Sequence, residues 1–353
     1  MADGSSLTVK VKDALQAFGL PRLIIALFLL ALFIIAPFAG VGVGASFSNI
    51  LGRFGMNSIM VLAMVPMIHS GCGLNFGLPL GIIAGLLGGT LAIESGITGP
   101  VSFFVAILIA TPFAIVLGWA YGQLLNRVKG SEMMIATYVG FSSVSFMCIM
   151  WLILPYHSPT MVWGYAGTGL RTTISTDGYY SHVLKDFLKI TIGNVSISFG
   201  EILFFAVLAF AIWAFLHTKT GTAMTAVGSN PAFARASGIN IDRTRTLSVI
   251  MSTWLGAVGI LFYQQGYGFI QLYQGPMYMA MPAVSAILIG GASVNKATIM
   301  NVIIGTILYQ GIVTMTPSVM NALIHTDMSE VIRIIVSNGM ILYALTRKTG
   351  SSR

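Results

Sequence analysis

HTKTGTAMTAVGSNPAFARASGINIDRTR, residues 217–245, is the one long polar, basic interval of this chain that is enclosed by apolar segments on both sides. Residues 199–216 precede it and 247–262 follow it, and each run is long enough to cross a bilayer. The interval holds Lys219, Arg235, Arg243 and Arg245 against a single acid, Asp242. Short loops rich in Lys and Arg stay on the cytoplasmic side, so this interval sets the orientation of the rest. Within it, Pro231 to Ser237 reads as a short helix. Asn230 is the N-cap, Pro231 takes the first helical position, and Gly238 ends it. Such a helix presents Phe233 and Arg235 on the cytoplasmic face. Two readings are open: a solvated connector, or a docking helix for a cytoplasmic partner.

Composition places the chain in the membrane. Of 353 residues, 56% are hydrophobic and 8% charged; water-soluble domains carry about 25% charged residues. The expected fold class is an all-α integral membrane protein. The formal net charge is +8, but the cations flank apolar runs and form no continuous stripe, which excludes nucleic acid and points to the bilayer's anionic inner leaflet. Cys72 and Cys148 lie in apolar surroundings and suggest neither a disulfide framework nor a metal site. The apolar run from Leu23 is too long for a cleaved secretory signal.

In chain order, residues 1–22 read as an amphipathic helix on the inner surface, with Leu7, Val11, Leu15 and Phe18 at helical spacing. Residues 23–346 form the transmembrane domain and 347–353 a cytoplasmic tail. About ten spans are expected: 23–43, 53–68, 71–93, 101–125, 133–154, 199–216, 247–263, 276–291, 299–315 and 330–345. Eight or eleven also satisfy the pattern. Both termini are then cytoplasmic, and most Lys and Arg residues fall inside. The segment 155–198 is extracytoplasmic, and its Tyr156, Trp163, Tyr165, Tyr179 and Tyr180 read either as interface anchors or as part of a platform for an external binding protein. In the third span, Gly73, Gly77, Gly81, Gly85 and Gly89 make one glycine face, and Pro79 interrupts the hydrogen-bond ladder. Close packing and a broken helix lining a solute path both fit.

The run AVGSNPAFARASGINIDRTR (226–245) resembles the cytoplasmic coupling segment of ABC importer permeases of the ribose/galactose/nucleoside branch, related to the branched-chain amino acid permeases, and matches it at Gly228, Asn230, Ala234, Gly238, Ile239 and Asn240. AILIGGASVNKATIMNVIIGTIL (286–308) resembles the family's second signature at Gly290, Gly291, Ser293, Gly305 and Thr306, with 295–301 standing where relatives carry glycines. GCGLNFG (71–77) stands where the family has GIDLSVG, so Gly73 replaces an acid and Asn75 a serine. The resemblance implies a bacterial inner-membrane pore subunit, completed by a second identical or related permease. Two cytoplasmic ABC ATPase subunits would carry the ATP and Mg, this chain binding no cofactor, and an extracytoplasmic solute-binding protein would deliver the cargo. It implies ATPase coupling through Gly228, Asn230, Pro231, Phe233, Arg235 and Gly238, and it favours the broken-helix reading of 71–93.

The remaining residues bear on mechanism. No phosphate-cradling GxxxxGK[ST] run is present, so ATP chemistry belongs to another subunit. His69, His157, His182, His217 and His325 are scattered, mostly near expected span ends, and read as interfacial. Glu94, Glu132, Asp327 and Glu330 also fall near span ends, with Arg333 the deepest charge; scarce buried carboxylates argue against ion coupling. Polar neutral residues interrupt the apolar spans: Asn57, Ser58, Asn75, Thr137, Ser142, Ser145, Ser285, Gln310 and Asn338. Each can bond a neighbouring helix; together they suit weak hydrogen bonding to a neutral, hydroxyl-rich solute, with Phe76 stacking on a sugar or base face. Asn57, Asn75, Phe76, Ser285 and Gln310 are the candidate pathway residues. The expected function is the permease subunit of an ATP-driven importer for a monosaccharide or nucleoside. The alternatives are a secondary carrier of a small polar solute and a membrane scaffold without transport.

Overall fold

Hydrocarbon offers no partner to a backbone N–H or C=O, so long apolar runs fold as helices that satisfy these groups internally. The computed structural model describes residues 20–162, 169–193, 195–273, 275–294 and 296–324, with isolated positions at 331, 334–335 and 338–339. Its helices are α1 (Leu20–Ile35), α2 (Val43–Leu62), α3 (Met64–His69), α4 (Leu78–Glu94), α5 (Pro100–Arg127) and α6 (Glu132–Ile153), then α7 (Phe199–Leu216), α8 (Lys219–Ser229), α9 (Pro231–Ala236), α10 (Ile241–Tyr267), α11 (Gly275–Ile289) and α12 (Ile299–Ile324). Between α6 and α7 lie β1 (Thr173–Ser175) and a hairpin of β2 (Lys189–Ile192) with β3 (Val195–Ser198); β1 pairs antiparallel with β4 (Phe269–Gln271), which follows α10.

Among the described residues, six segments are long and apolar enough to cross a membrane: Val43–His69, Pro100–Arg127, Glu132–Ile153, Phe199–Leu216, Ile241–Tyr267 and Ile299–Leu323. Three further apolar helices are shorter: Arg22–Ile35, Leu78–Glu94 and Gly275–Ile289. The expected spans 23–43, 71–93 and 276–291 fold as these shorter helices. The expected last span, the tail 347–353, and the amphipathic helix up to residue 19 lie outside the described residues, isolated positions apart, as do Trp163 and Tyr165.

Several boundaries move. The second segment begins at Val43, which leaves Arg53 within the helix. Its polar N-terminal turns are covered, since the Ser48 hydroxyl lies 2.8 Å from both the carbonyl and the hydroxyl of Ser196 in β3. The segment breaks at Ala63, ahead of Pro66, whose missing N–H cannot bond the Leu62 carbonyl. Pro79 sits in the first turn of α4, where its missing N–H costs nothing, and the irregular backbone is 70–77. α10 starts earlier and ends later than its apolar run, between the Asn240 cap and Gly268, which has φ +84°.

α4, α5 and α10 pack against one another at the centre. A Cβ at Gly81 would stand 2.4 Å from the Thr253 carbonyl oxygen, and one at Gly85 2.5 Å from that of Ala257, both on α10. Gly88, on the next stripe of α4, meets the Ala106 carbonyl of α5 in the same way. The glycine repeat is therefore a contact surface that lets backbones touch. α5, α6 and α7 turn apolar side chains such as Leu108, Phe146 and Phe210 outward, which suits lipid.

The segment 155–198 is fastened to the helix ends. Tyr180 is fully buried and donates to Gln264 Oε1 at 3.0 Å, and the hydroxyls of Tyr156 and Thr90 lie 2.8 Å apart. Burial pushes both phenols above their ordinary pKa, so both remain neutral hydroxyls. Glu94 accepts from the backbone N–H groups of His157 and Ser158, each at 3.0 Å. These two tyrosines hold the segment down; neither stands free as a membrane anchor or an external platform.

Gly85→Leu is expected to force α4 and α10 apart and destabilise the fold by about 1–3 kcal/mol. A thermal melt in detergent should show it, with Gly52→Ala as the control, because a Cβ at Gly52 meets nothing within 4 Å. Equal melting temperatures for the two variants would show that the contact surface does not hold the helices.

Candidate functional site

The interval 217–240 folds as a two-helix arm, each helix held by a polar cap. Thr218 accepts from Gly221 N at 3.3 Å to start α8, and Asn230 accepts from Phe233 N at 3.0 Å to start α9. The arm then joins α10, where Asn240 accepts from Arg243 N at 3.0 Å. Pro231 is the first helical residue of α9. Its end is a Schellman turn: Ile239 N donates to Ala234 O and Gly238 N to Arg235 O, both at 3.0 Å, with Gly238 at φ +78°. Ala234 is buried against Val227 and Ile241. Phe233 and Arg235 flank it on the two sides of the helix and are exposed, Phe233 to 63%. Gly228 is where α8 meets the body: a Cβ there would stand 2.2 Å from the His69 carbonyl oxygen and 2.9 Å from Gly71 N.

Not all of 217–245 is loop, and not all of its cations are solvated. Residues 241–245 form the first turn of α10, and Arg245 is buried. Its guanidinium pairs with Glu132 Oε1 at the start of α6 and donates from Nε to Cys72 Sγ at 3.2 Å. Glu132 Oε2 accepts from Gly130 N at 2.9 Å. Ser248 bridges Ser70 at 2.5 Å, and Ser70 donates to Cys72 Sγ at 3.3 Å. One polar cluster thus joins α6, α10 and the irregular segment 70–77. Nearby, Lys129 and Asp242 pair at 2.6 Å in an exposed position.

The five candidate pathway residues do not form one site. Asn75 is buried and engaged on both sides: its Nδ2 donates to Ser252 Oγ at 2.7 Å, and its Oδ1 accepts from the Tyr121 hydroxyl at 3.2 Å. Ser252 in turn donates to the Ala63 carbonyl at 2.5 Å, beside the break between α2 and α3. Phe76 looks the other way and lines a cavity of about 10 Å³ with Pro79, Thr137, Phe141, Met277 and Met281. That holds about one water and no sugar. Ser285 bonds back to Met281 O at 2.9 Å, Asn57 to Arg53 O at 2.8 Å, and Gln310 is buried on α12.

Sequence reasoning missed Glu201, the third residue of α7. Its carboxylate is buried between Gly55 and Gly266, where an added Cβ would stand 2.5 Å and 2.9 Å from its oxygens. Oε1 accepts from Gln265 Nε2 at 3.2 Å, and Oε2 has no hydrogen-bond partner among the described residues. The scarcity of buried carboxylates, read as an argument against ion coupling, therefore loses its premise.

Residues 46–344 match the family described as "Branched-chain amino acid transport system / permease component". The xylose transport system permease protein XylH of Haemophilus influenzae is 25% identical over 352 residues, covering 87% of this chain and 89% of that one. The autoinducer 2 import system permease protein LsrC of an Enterobacter species is 26% identical over 261 residues, covering 72% and 66%. The fructose import permease protein FruG of Bifidobacterium longum is 27% identical over 138 residues, covering 36% and 40%. No solved structure matches the chain.

Arg245→Ala is expected to cost about 3 kcal/mol, because it leaves the largely covered Glu132 carboxylate without its counter-charge. Lys129→Ala, at the exposed pair, should cost less than about 1 kcal/mol. Detergent melts of the two variants should differ accordingly; matching shifts would show that burial does not set the worth of the Arg245 pair.

Proposed function

The chain belongs to the permease components of the branched-chain amino acid transport system family, and on that premise we propose that it is the pore-forming subunit of an ATP-driven importer for a neutral monosaccharide-like solute. Two such subunits, identical or related, enclose the path. Cytoplasmic ABC ATPase subunits, which hold ATP and Mg, dock from below, and a solute-binding protein delivers cargo from outside. Both termini lie in the cytoplasm, and about ten segments cross the membrane. Two of these crossings join a helix to a shorter irregular stretch, 70–77 before α4 and 290–294 with 296–298 after α11, a construction that membrane proteins tolerate only where protein or a water-filled path surrounds it.

One observation supports this reading above the others. α9 is pinned by Ala234 from beneath while Phe233 and Arg235 stand exposed on its two flanks. A large exposed aromatic beside a cation is the composition of an interface anchor. Closure of the ATPases would push on α9; the arm is capped at Thr218 and Asn230 and runs into the Asn240 cap of α10, so the push arrives at the centre of the fold. The cavity beside Phe76 is then the closed form of the path, which opens as α4 and α11 separate.

The cargo follows from chemistry. Apart from Glu201 and the Arg245 pair at the start of α10, the buried polar groups around α4 and α10 include amides and hydroxyls, among them Asn75, Ser252, Thr253 and Gln264. These suit hydroxyl-rich solutes without countercharge, in keeping with the xylose and fructose named for two relatives. A nucleoside meets the same chemistry. Glu201 favours a second reading, an ion-coupled carrier, because an ionisable group in a span is a coupling candidate. Uptake by this chain alone in vesicles, driven by an ion gradient, would establish that reading in place of the importer.

The importer reading is tested with the double variant Phe233→Ala, Arg235→Glu, co-expressed with its ATPase. Truncating an aromatic anchor costs about 2 kcal/mol or more, so ATPase capture should weaken at least about thirtyfold and uptake should fall with it, while membrane insertion stays normal. Unchanged uptake would overturn the proposal.

A further inference from the structure

We propose that His69 is the positioning residue that converts movement of the α8–α9 arm into movement of both irregular segments. This rests on the importer reading above. His69 is the last residue of α3 and lies at the meeting point of three parts of the chain. Its Nδ1 is 3.1 Å from the Thr225 hydroxyl of α8. Its Nε2 is 2.8 Å from the Ala297 carbonyl in the irregular stretch 296–298 that leads into α12. Its own carbonyl oxygen lies against Gly228 of α8, and the next glycine, Gly71 at φ +73°, would place a Cβ 3.0 Å from the Gly228 Cα.

Side-chain chemistry fixes the direction of these bonds. A carbonyl only accepts, so Nε2 carries the hydrogen toward Ala297; in the neutral ring Nδ1 is then the acceptor for the Thr225 hydroxyl, whose one hydrogen is shared between this ring and the Gly221 carbonyl at 3.2 Å. A single ring thus holds the arm on one edge and the far segment on the other. From Gly71 the backbone runs directly to Asn75 and Phe76. From Ala297 it enters α12, where Asn301 Nδ2 donates to the Gly290 carbonyl at 2.6 Å, and Gly290 and Gly305 approach so closely that a Cβ on Gly305 would stand 2.9 Å from Gly290 N. Any displacement of α8 must therefore either carry both segments along or break the bonds at His69.

The test separates the two edges of the ring. His69→Gln places its amide near the Nε2 position and keeps the bond to Ala297; His69→Asn keeps a group near the Nδ1 position, facing Thr225. Thr225→Val removes the same bond as His69→Gln from the exposed side of α8, where it cannot disturb the core. The readout is solute moved per ATP hydrolysed by the assembled complex in proteoliposomes, with binding protein and a monosaccharide panel. Each variant should co-purify with the ATPase, keep its basal hydrolysis, and lose about fivefold in solute moved per ATP, the worth of one hydrogen bond. His69→Gln combined with Thr225→Val should be no worse than either alone, because both cut one link. Normal stoichiometry in Thr225→Val and in either His69 variant would overturn the proposal, and so would additive losses in the double variant. If a His69 variant fails to assemble, Thr225→Val decides by itself. A wild-type complex without ATP-driven uptake would instead overturn the importer reading.

Discussion

A backbone carbonyl in hydrocarbon must find its hydrogen bond inside the protein, and this constraint organises the polar residues of the chain. The helical ladder is broken at Ala63, across 70–77 and across 290–294 and 296–298, and polar side chains stand at each break. The Ser252 hydroxyl donates to the Ala63 carbonyl. Asn75, within the second break, bonds Ser252 and Tyr121. Asn301 reaches the Gly290 carbonyl beside the third, and His69 reaches that of Ala297 within it. Of the polar residues read singly as solute contacts, Asn75 stands at such a break, while Asn57 and Ser285 bond carbonyls of their own helices. The same groups become available to a solute only if the helices that bear them part.

Around these breaks the fold is rigid by contact. α4 carries glycines on two adjoining stripes, one against α10 and one against α5, so backbone meets backbone with no side chain able to slide between. The second sequence signature has the same physical content: Gly290 and Gly305 allow the end of α11 to touch α12. Packed interfaces of this kind do not deform continuously, so motion has to occur between blocks. The irregular segments are the seams between blocks, and the arm reaches them through Gly228 and His69.

Local features of the fold were legible in the sequence. The limits of Phe199–Leu216 follow from an apolar run that ends at a polar one, and α9 follows from Asn230, Pro231 and Gly238, whose roles depend on neighbours one to three residues away. The glycine repeat of α4 announced close packing, though not which helix it meets. Arg245 was misjudged because its partner Glu132 is 113 residues distant, and a basic residue beside other basic residues reads as solvated. Glu201 was missed because a lone acid at the edge of an apolar run looks like an interfacial residue until Gly55 and Gly266 close over it.

By itself, then, the sequence determined the membrane class, the course of most long apolar helices, the short helix α9 with its Asn230 and Gly238 signals, and the family. Each of these depends on composition or on contacts within one turn of helix, where bond geometry leaves few choices. Tertiary structure alone decided which polar groups are buried and with whom: Asn75 with Tyr121 and Ser252, Arg245 with Glu132, and His69 between Thr225 and Ala297. The role of a polar side chain inside a membrane is set by what lies across the gap from it, and that neighbour comes from a distant part of the chain.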